Sequence, residues 1–507
     1  MNRQIPEAKA YEKVVGIFRK HKSGITLADV AAGTGLSLDR IKTLVPMAAD
    51  EYSGRLEVTQ SGEILYSFPR GFSSRYRGFG PAVKRFSSAF SAFAVAAGKL
   101  LFKAWIMVML VGYFLLFIAI ALGALVLSMA ARNNRSGGGS AGGMNASLGI
   151  FNLIIRLWFY SELLNMAGGR RGGGWQGGGW DARPSGGKKK GRPLHKAIFS
   201  FVFGDDDPNR DREILEKKEF VAYIRKRRGV VSLPELMIIA GQNPQAAESR
   251  VTRLCAEFGG SPELTEEGTI VYRFDEILLS GEKSASDAAG VSGPVSPLYK
   301  KPRVFSCNPS KMNVWFAIIN GVNLLFGAYF LHSSITIGSI FFDPTAATQE
   351  VSGIYGMVYF FLSQMGAYAL PVIQIGLGLV PLLFSAFFWL IPALRSLWLK
   401  KENDAIRMGN FRSLFYGRVW TSPEGFRPDG IDPREDECRP RDMAAARNTA
   451  LKEMGAYSPT QVTFDEKRGE VFDFPELRRE KDALEKYRKT IDPGKSLTGE
   501  TVFDSGG

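Results

Sequence analysis

Three stretches of the chain carry no charge at all: Ala104 to Ala131 (28 residues), Met312 to Phe342 (31) and Val351 to Leu394 (44). About 20 apolar residues cross a bilayer as a helix, so each stretch is long enough to span. The third is too long for one straight crossing at about 1.5 Å per residue. Its Pro371, Pro381 and Pro392 predict a kinked helix preceded by an interfacial or re-entrant piece. A further apolar segment, Leu148 to Met166, contains Arg156 and Glu162, so it predicts a helix that either returns through the bilayer or lies on its surface. Four spans are expected, with three or five as the alternatives, grouped as transmembrane regions 104–166 and 312–394. Just before the first, residues 77–103 place Phe86, Phe90, Phe93 and Leu100 at near-helical spacing among lysines and arginines, the pattern of an amphipathic juxtamembrane helix.

Outside these runs the hydrophobic positions follow soluble-domain periods. Val14, Val15, Ile17 and Phe18 make one face of a helix over Glu7 to His21. A second short helix starts after Thr26 as N-cap, and Gly33 to Gly35 makes a turn. A third helix runs from a Ser37 cap through Glu51, and Leu56 to Phe68 alternates as a hairpin around Ser61-Gly62. The same order recurs 206 residues later without a gap. Val58-Thr59 and Gly62 to Phe68 fall on Leu264-Thr265 and Gly268 to Phe274, and Ile25-Thr26-Leu27 falls on Val231-Ser232-Leu233. One module used twice is the natural reading. Three helices, a tight turn between the second and third, and a hairpin resemble the winged helix-turn-helix family. The expected fold class is therefore membrane α-helical plus α+β winged modules, at 1–76 and 205–280.

A degenerate third copy is expected over 395–475, with its first helix over Ala405 to Trp420, its third over Met443 to Met454, and a hairpin from Val462 to Phe474. A Pro-rich insertion, Thr421 to Arg441, separates the two helices. Residues 476–507 read as a charged helix followed by a loose tail from Pro493. Residues 167–204 and 281–311 read as linkers; the first holds two Gly-Gly-Gly-Trp runs and many basic residues.

Charge orients this scheme. The chain has 64 Lys and Arg against 50 Asp and Glu, a net charge of +14. The flanks 75–103, 168–192, 300–311 and 395–401 are basic, whereas 333–353 has no Lys or Arg. If Leu148–Met166 returns across the bilayer, the positive-inside rule then puts the modules on the cytoplasmic side of an inner membrane. Arg170, Arg171, Trp175, Trp180, Lys188, Lys189 and Lys190 of the first linker are candidate contacts for anionic lipid headgroups.

Candidate chemistry is sparse. Asp205, Asp207, Asn209, Asp211, Glu213 and Glu216 approximate the donor spacing of a calcium loop, but Arg210 stands where that loop needs glycine. Asp207-Pro208-Asn209 reads better as a cap on the following helix. Three distant cysteines (Cys255, Cys307, Cys438) suggest neither a disulfide framework nor a metal set, and Cys255 reads as a core residue. With three histidines, no phosphate-binding loop and no nucleophile motif, no enzyme and no cofactor is indicated. On the third helices, Arg40, Lys42, Arg250 and Arg253 are candidate polar contacts. Neighbouring acids, and Glu263, Glu266 and Glu267 on the second hairpin, oppose a nucleic-acid backbone.

The two modules and the Phe203-Gly204-Asp205-Asp206-Asp207-Pro208-Asn209 segment resemble a poorly characterised family of bacterial and plastid membrane proteins. Some plastid members carry an iron–sulfur biosynthesis label, which the scattered cysteines here do not support. The expected role is a membrane scaffold or adaptor, with lipids, protein partners and further copies of itself as partners. A membrane-tethered DNA-binding regulator is the main alternative, and a pore or transporter subunit the third.

Overall fold

Glu7–Lys20, Leu27–Thr34 and Leu38–Glu51 are helices, followed by strands β1 (Arg55–Thr59) and β2 (Ile64–Ser67). They open a mostly helical chain, seen in a computed structural model that describes residues 7–20, 24–60, 62–68, 72, 97–133, 192–278, 295, 297–340, 354–465, 469–491 and 501–505. Thr26 caps the second helix as expected: its hydroxyl accepts from the Asp29 amide while Asp29 accepts from the Thr26 amide. The chain divides into two units. One comprises Met1–Lys84, Asp206–Arg303 and Lys400–Gly507, and the other Arg85–Asp205 and Val304–Leu399.

In the first unit, helix Arg212–Lys226, strand β3 (Val230–Val231), helices Leu233–Ala240 and Pro244–Phe258, and strands β4 (Ser261–Leu264) and β5 (Ile270–Arg273) follow the order of the N-terminal elements. Leu56 lies opposite Tyr66 and Pro262 opposite Tyr272, both pairs antiparallel. Each hairpin also takes a partner from the segment before its second helix: Ile25 bridges Tyr66, and Val231 pairs with Tyr272. Asn243 caps its helix through the Ala246 amide; Ser37 holds the equivalent place without a side-chain cap bond.

The region expected to be the third copy departs from the pattern. Its first helix is the end of the longer helix Val380–Thr421. Two short 3₁₀ turns, Pro428–Gly430 and Asp436–Cys438, stand where a second helix would be. Helix Met443–Tyr457 and strands β6 (Gln461–Asp465) and β7 (Gly469–Asp473) follow, and Phe426 bridges Phe472.

These pieces are not beads on a string. One continuous core joins Val14, Phe18 and Ile41 to Phe220, Phe258 and Phe274, and on to Phe411, Phe415 and Phe474. Helix Pro475–Thr490 adds Leu477 and Leu484 to it. The expected loose tail is partly a strand: β8 (Thr501–Asp504) extends the first hairpin, with Val58 opposite Phe503. Val502 and Phe503 favour an extended backbone, and the open edge of β1 supplies its hydrogen bonds.

In the second unit, Ala97–Leu127 and Ser310–Thr336 are helices long and apolar enough to cross a membrane. A third such stretch, Ile354–Thr421, starts in this unit, leaving three among the described residues. It bends at Gly366, whose φ of 56 and ψ of −127 lie outside helical space. Pro371, Pro381 and Pro392 predict a kinked helix preceded by an interfacial or re-entrant piece. Pro371 instead sits in the first turn after Gly366, where its missing N–H is no loss. Ahead of Pro381, the ladder widens to a π turn, the Val380 amide reaching the Ile375 carbonyl. Gly327 and Gly378 bring two helices into close contact: a Cβ on Gly378 would lie 2.9 Å from the Leu331 backbone. The buried amides of Asn320 and Asn323 donate across helices to the carbonyls of Ser385 and Leu110. Part of the expected linker is helical too: Leu194–Phe203, an apolar run without glycine, packs Ala197, Ile198 and Val202 against the long helices. The expected span at Leu148–Met166 and most of the juxtamembrane helix 77–103 lie outside the described residues.

Candidate functional site: a charged cleft and two occupied hairpins

Several residues singled out from the sequence meet in one cleft of the first unit. Asn209, Glu216, Arg250 and Arg253 line it with Arg212, Lys217, Lys300 and Glu402, around a cavity of about 420 Å³. Glu216, 6% exposed, is its centre. Arg250 donates to one carboxylate oxygen at 2.6 Å, while Arg212 and Lys300 approach the other at 3.4 and 3.6 Å. Burial alone would raise the Glu216 carboxyl; Arg250, then Lys300 and Arg212, more than offset it and hold the group below its ordinary value. Lys217 answers Glu257 at 2.7 Å. Arg253 is exposed.

Lys300 reaches the cleft because the extended segment 300–303 is held by three asparagines. Asn410, Asn209 and Asn403 each accept from and donate to the backbone of one residue, Lys300, Lys301 and Arg303 respectively, at 2.7–3.0 Å. An amide that accepts and donates at once imitates a paired strand. Asn403 and Asn410 stand two turns apart on one helix, a spacing that sequence reading passed over.

The acids with the spacing of a calcium loop do not gather around one point. Asp205 belongs to the second unit, where Arg192 pairs with it, the Ser200 hydroxyl donates at 2.6 Å and the Cys307 amide at 2.7 Å. Burial opposes its charged form, but these donors outweigh that and hold its carboxyl well below the usual range. Asp207 accepts from the Asn209 amide in a turn. That turn does not cap the helix, which begins at Arg212 after Asp211. Among the described residues no three His, Cys, Asp or Glu side chains gather as a metal site. All three cysteines are free, Cys438 buried, Cys307 exposed and Cys255 between them.

Both hairpins are engaged by the C-terminal segment. Lys486 pairs with Glu266 at 3.4 Å and Glu267 at 2.6 Å, and the Tyr487 hydroxyl donates to Glu263. Arg488 goes deeper. Only 10% exposed, it forks onto Glu235, itself 1% exposed, at 3.0 and 2.6 Å, and donates twice to the Val230 carbonyl. On the first hairpin, Arg55 pairs with Asp504, and the Ser505 amide donates to the Leu56 carbonyl. Lys42 is half exposed and pairs with Glu276 at 3.0 Å; Arg40 lies two residues earlier on the same helix, partly buried. The outward face of helix Leu38–Glu51 otherwise shows Asp39, Thr43, Pro46, Met47 and Asp50. Arg170, Arg171, Trp175, Trp180, Lys188, Lys189 and Lys190 lie outside the described residues.

The chain is thus a mostly helical protein with, among the described residues, three bilayer-length apolar helices and small antiparallel sheets. It is similar to an uncharacterised chloroplastic protein of Arabidopsis thaliana, 26% identical over 441 residues that cover 83% of this chain and 73% of that protein. The similarity points to a poorly characterised, plant- and plastid-type group. No family model matches the chain. No solved structure matches it either.

Proposed function

We propose that the chain is an integral membrane scaffold, crossing the bilayer about four times, whose winged-helix modules contact proteins rather than nucleic acid. The winged-helix reading rests on the shared order of helices and hairpin, on its recurrence 206 residues along, and on the matching pairs Ile25–Tyr66 and Val231–Tyr272. The modules lie on the cytoplasmic side of the membrane, where the basic flanks favour them.

The observation that carries the protein-binding reading is the use already made of both wings. One wing accepts a strand, β8, and the other presents Glu263, Glu266 and Glu267 to Tyr487 and Lys486. Strand addition and acid–base pairing are modes of protein recognition. A DNA reader would instead present basic wings to grip the phosphates. Basic linker residues hold lipid headgroups, and the chain assembles with copies of itself.

The test is titration of the full chain, in nanodiscs at about 0.15 M salt, with duplex DNA, where nonspecific binding is typically about 10⁻⁴ to 10⁻⁶ M. Binding no tighter than that agrees with the scaffold. Sequence-preferring binding well below micromolar replaces it with a tethered transcription regulator. The native mass of the solubilised chain decides self-association separately; a monomer at micromolar concentration removes that part.

A further inference from the structure

The cleft beside Glu216 is charged out of balance. One carboxylate answers Arg212, Arg250 and Lys300. The other acids of the wall are ion-paired too: Glu213 and Glu257 share Lys217, and Glu402 pairs with Arg303. Arg253 adds a further cation at the rim, exposed and without an ion pair among the described residues. The lining therefore holds five cations, Arg212, Lys217, Arg250, Arg253 and Lys300, against four acids, Glu213, Glu216, Glu257 and Glu402.

We propose that this cleft binds a phosphate group, with Arg212, Arg250, Arg253 and Lys300 as its donors. A phosphate monoester brings about two negative charges and three acceptor oxygens, enough to meet guanidinium forks and an ammonium arriving from different elements. The 420 Å³ cavity leaves room for the body that carries the phosphate. Glu213, Glu257 and Glu402 line the wall and disfavour a long polyanion such as a nucleic-acid backbone. The asparagine clamp on 300–303 pre-positions Lys300, so ordering this donor costs little on binding. The phosphate comes from either a soluble phosphorylated metabolite or a lipid headgroup.

The experiment uses the full chain in two settings. In detergent at low chloride, inorganic phosphate is titrated and followed by calorimetry. In nanodiscs, phosphatidic acid is compared with phosphatidylcholine. Saturable binding of inorganic phosphate assigns a soluble ligand; binding to phosphatidic acid alone assigns a headgroup. In either case Arg253→Gln and Lys300→Gln each weaken binding by about ten-fold or more, as loss of one charge-assisted contact requires; the melting temperature is unchanged for the exposed Arg253, while Lys300→Gln lowers it, because Lys300 also answers the buried Glu216. Arg253→Lys restores part of the loss. Arg250 is left intact, because removing it would strand the buried Glu216. No saturable binding in either setting overturns the proposal, as does binding that both Gln variants leave unchanged.

Discussion

Arg488→Ala tests the claim that the C-terminal helix is an integral part of the first unit. Arg488 makes four polar contacts, two with Glu235 and two with the Val230 carbonyl. Truncation leaves the Glu235 carboxylate, 1% exposed, with only the Tyr223 hydroxyl at 2.7 Å and the Ser232 amide at 3.2 Å. Removing one partner of a buried ion pair costs about 3–5 kcal/mol. The two surviving bonds to neutral donors keep the loss near the lower end, about 3 kcal/mol. At about 2–4 °C per kcal/mol for a domain of this order of size, the melting temperature falls by about 6–12 °C. The assay is thermal unfolding of the full chain in detergent, run as a cycle of Arg488→Ala, Glu235→Gln and the double variant. The double variant should regain much of the loss, since it no longer strands a charge, giving a coupling of about 1–3 kcal/mol. A shift under about 3 °C for Arg488→Ala, or strict additivity in the cycle, refutes the reasoning.

Glu480 supplies a pH-dependent test: burial raises its carboxyl to about 7, with Glu235 adding to the rise and the Tyr457 hydroxyl bond opposing it. The folded chain therefore holds a proton that the unfolded chain loses from about pH 4.5, so this group's contribution falls as pH rises to about 7 and is flat above. Glu480→Gln, which keeps an acceptor for Tyr457, should melt higher at pH 8 by the equivalent of about 2–3 kcal/mol and match the parent at pH 4; equal melting at pH 8 would end this account. Gly241 has φ +63, and a Cβ there would lie 2.2 Å from the Gly409 carbonyl oxygen. Left-handed strain alone costs about 1–2 kcal/mol, so Gly241→Ala should destabilise by at least about 2 kcal/mol in the same melt. Deleting residues 501–507 should speed amide exchange at Val58, which faces Phe503, while Leu254 and Phe258 of the core keep their protection; unchanged exchange at Val58 means β8 does not form.

Local patterning makes much of the fold legible in the amino-acid sequence. Charge-free runs mark bilayer-length helices because a bilayer demands length and apolarity, both one-dimensional properties. Thr26 is readable as a cap because a cap bonds its own next turn. The hairpins are visible in alternation around glycine, and the recurrence at 206 residues in plain alignment. Of the site, the sequence singles out Arg250, Arg253, Asn209 and Glu216, but as two unrelated groups, a contact face and a metal loop. Only the tertiary structure brings them to one cleft, because it packs helix Arg212–Lys226 against Pro244–Phe258 and lays Lys300 beside them. Arg488 and Glu235 are 253 residues apart, and β8 joins β1 across more than 440. Nothing periodic announces such partners. Their pairing depends on where a shared core sets each backbone, and one buried arginine in a charged helix looks, in sequence, like any solvated one.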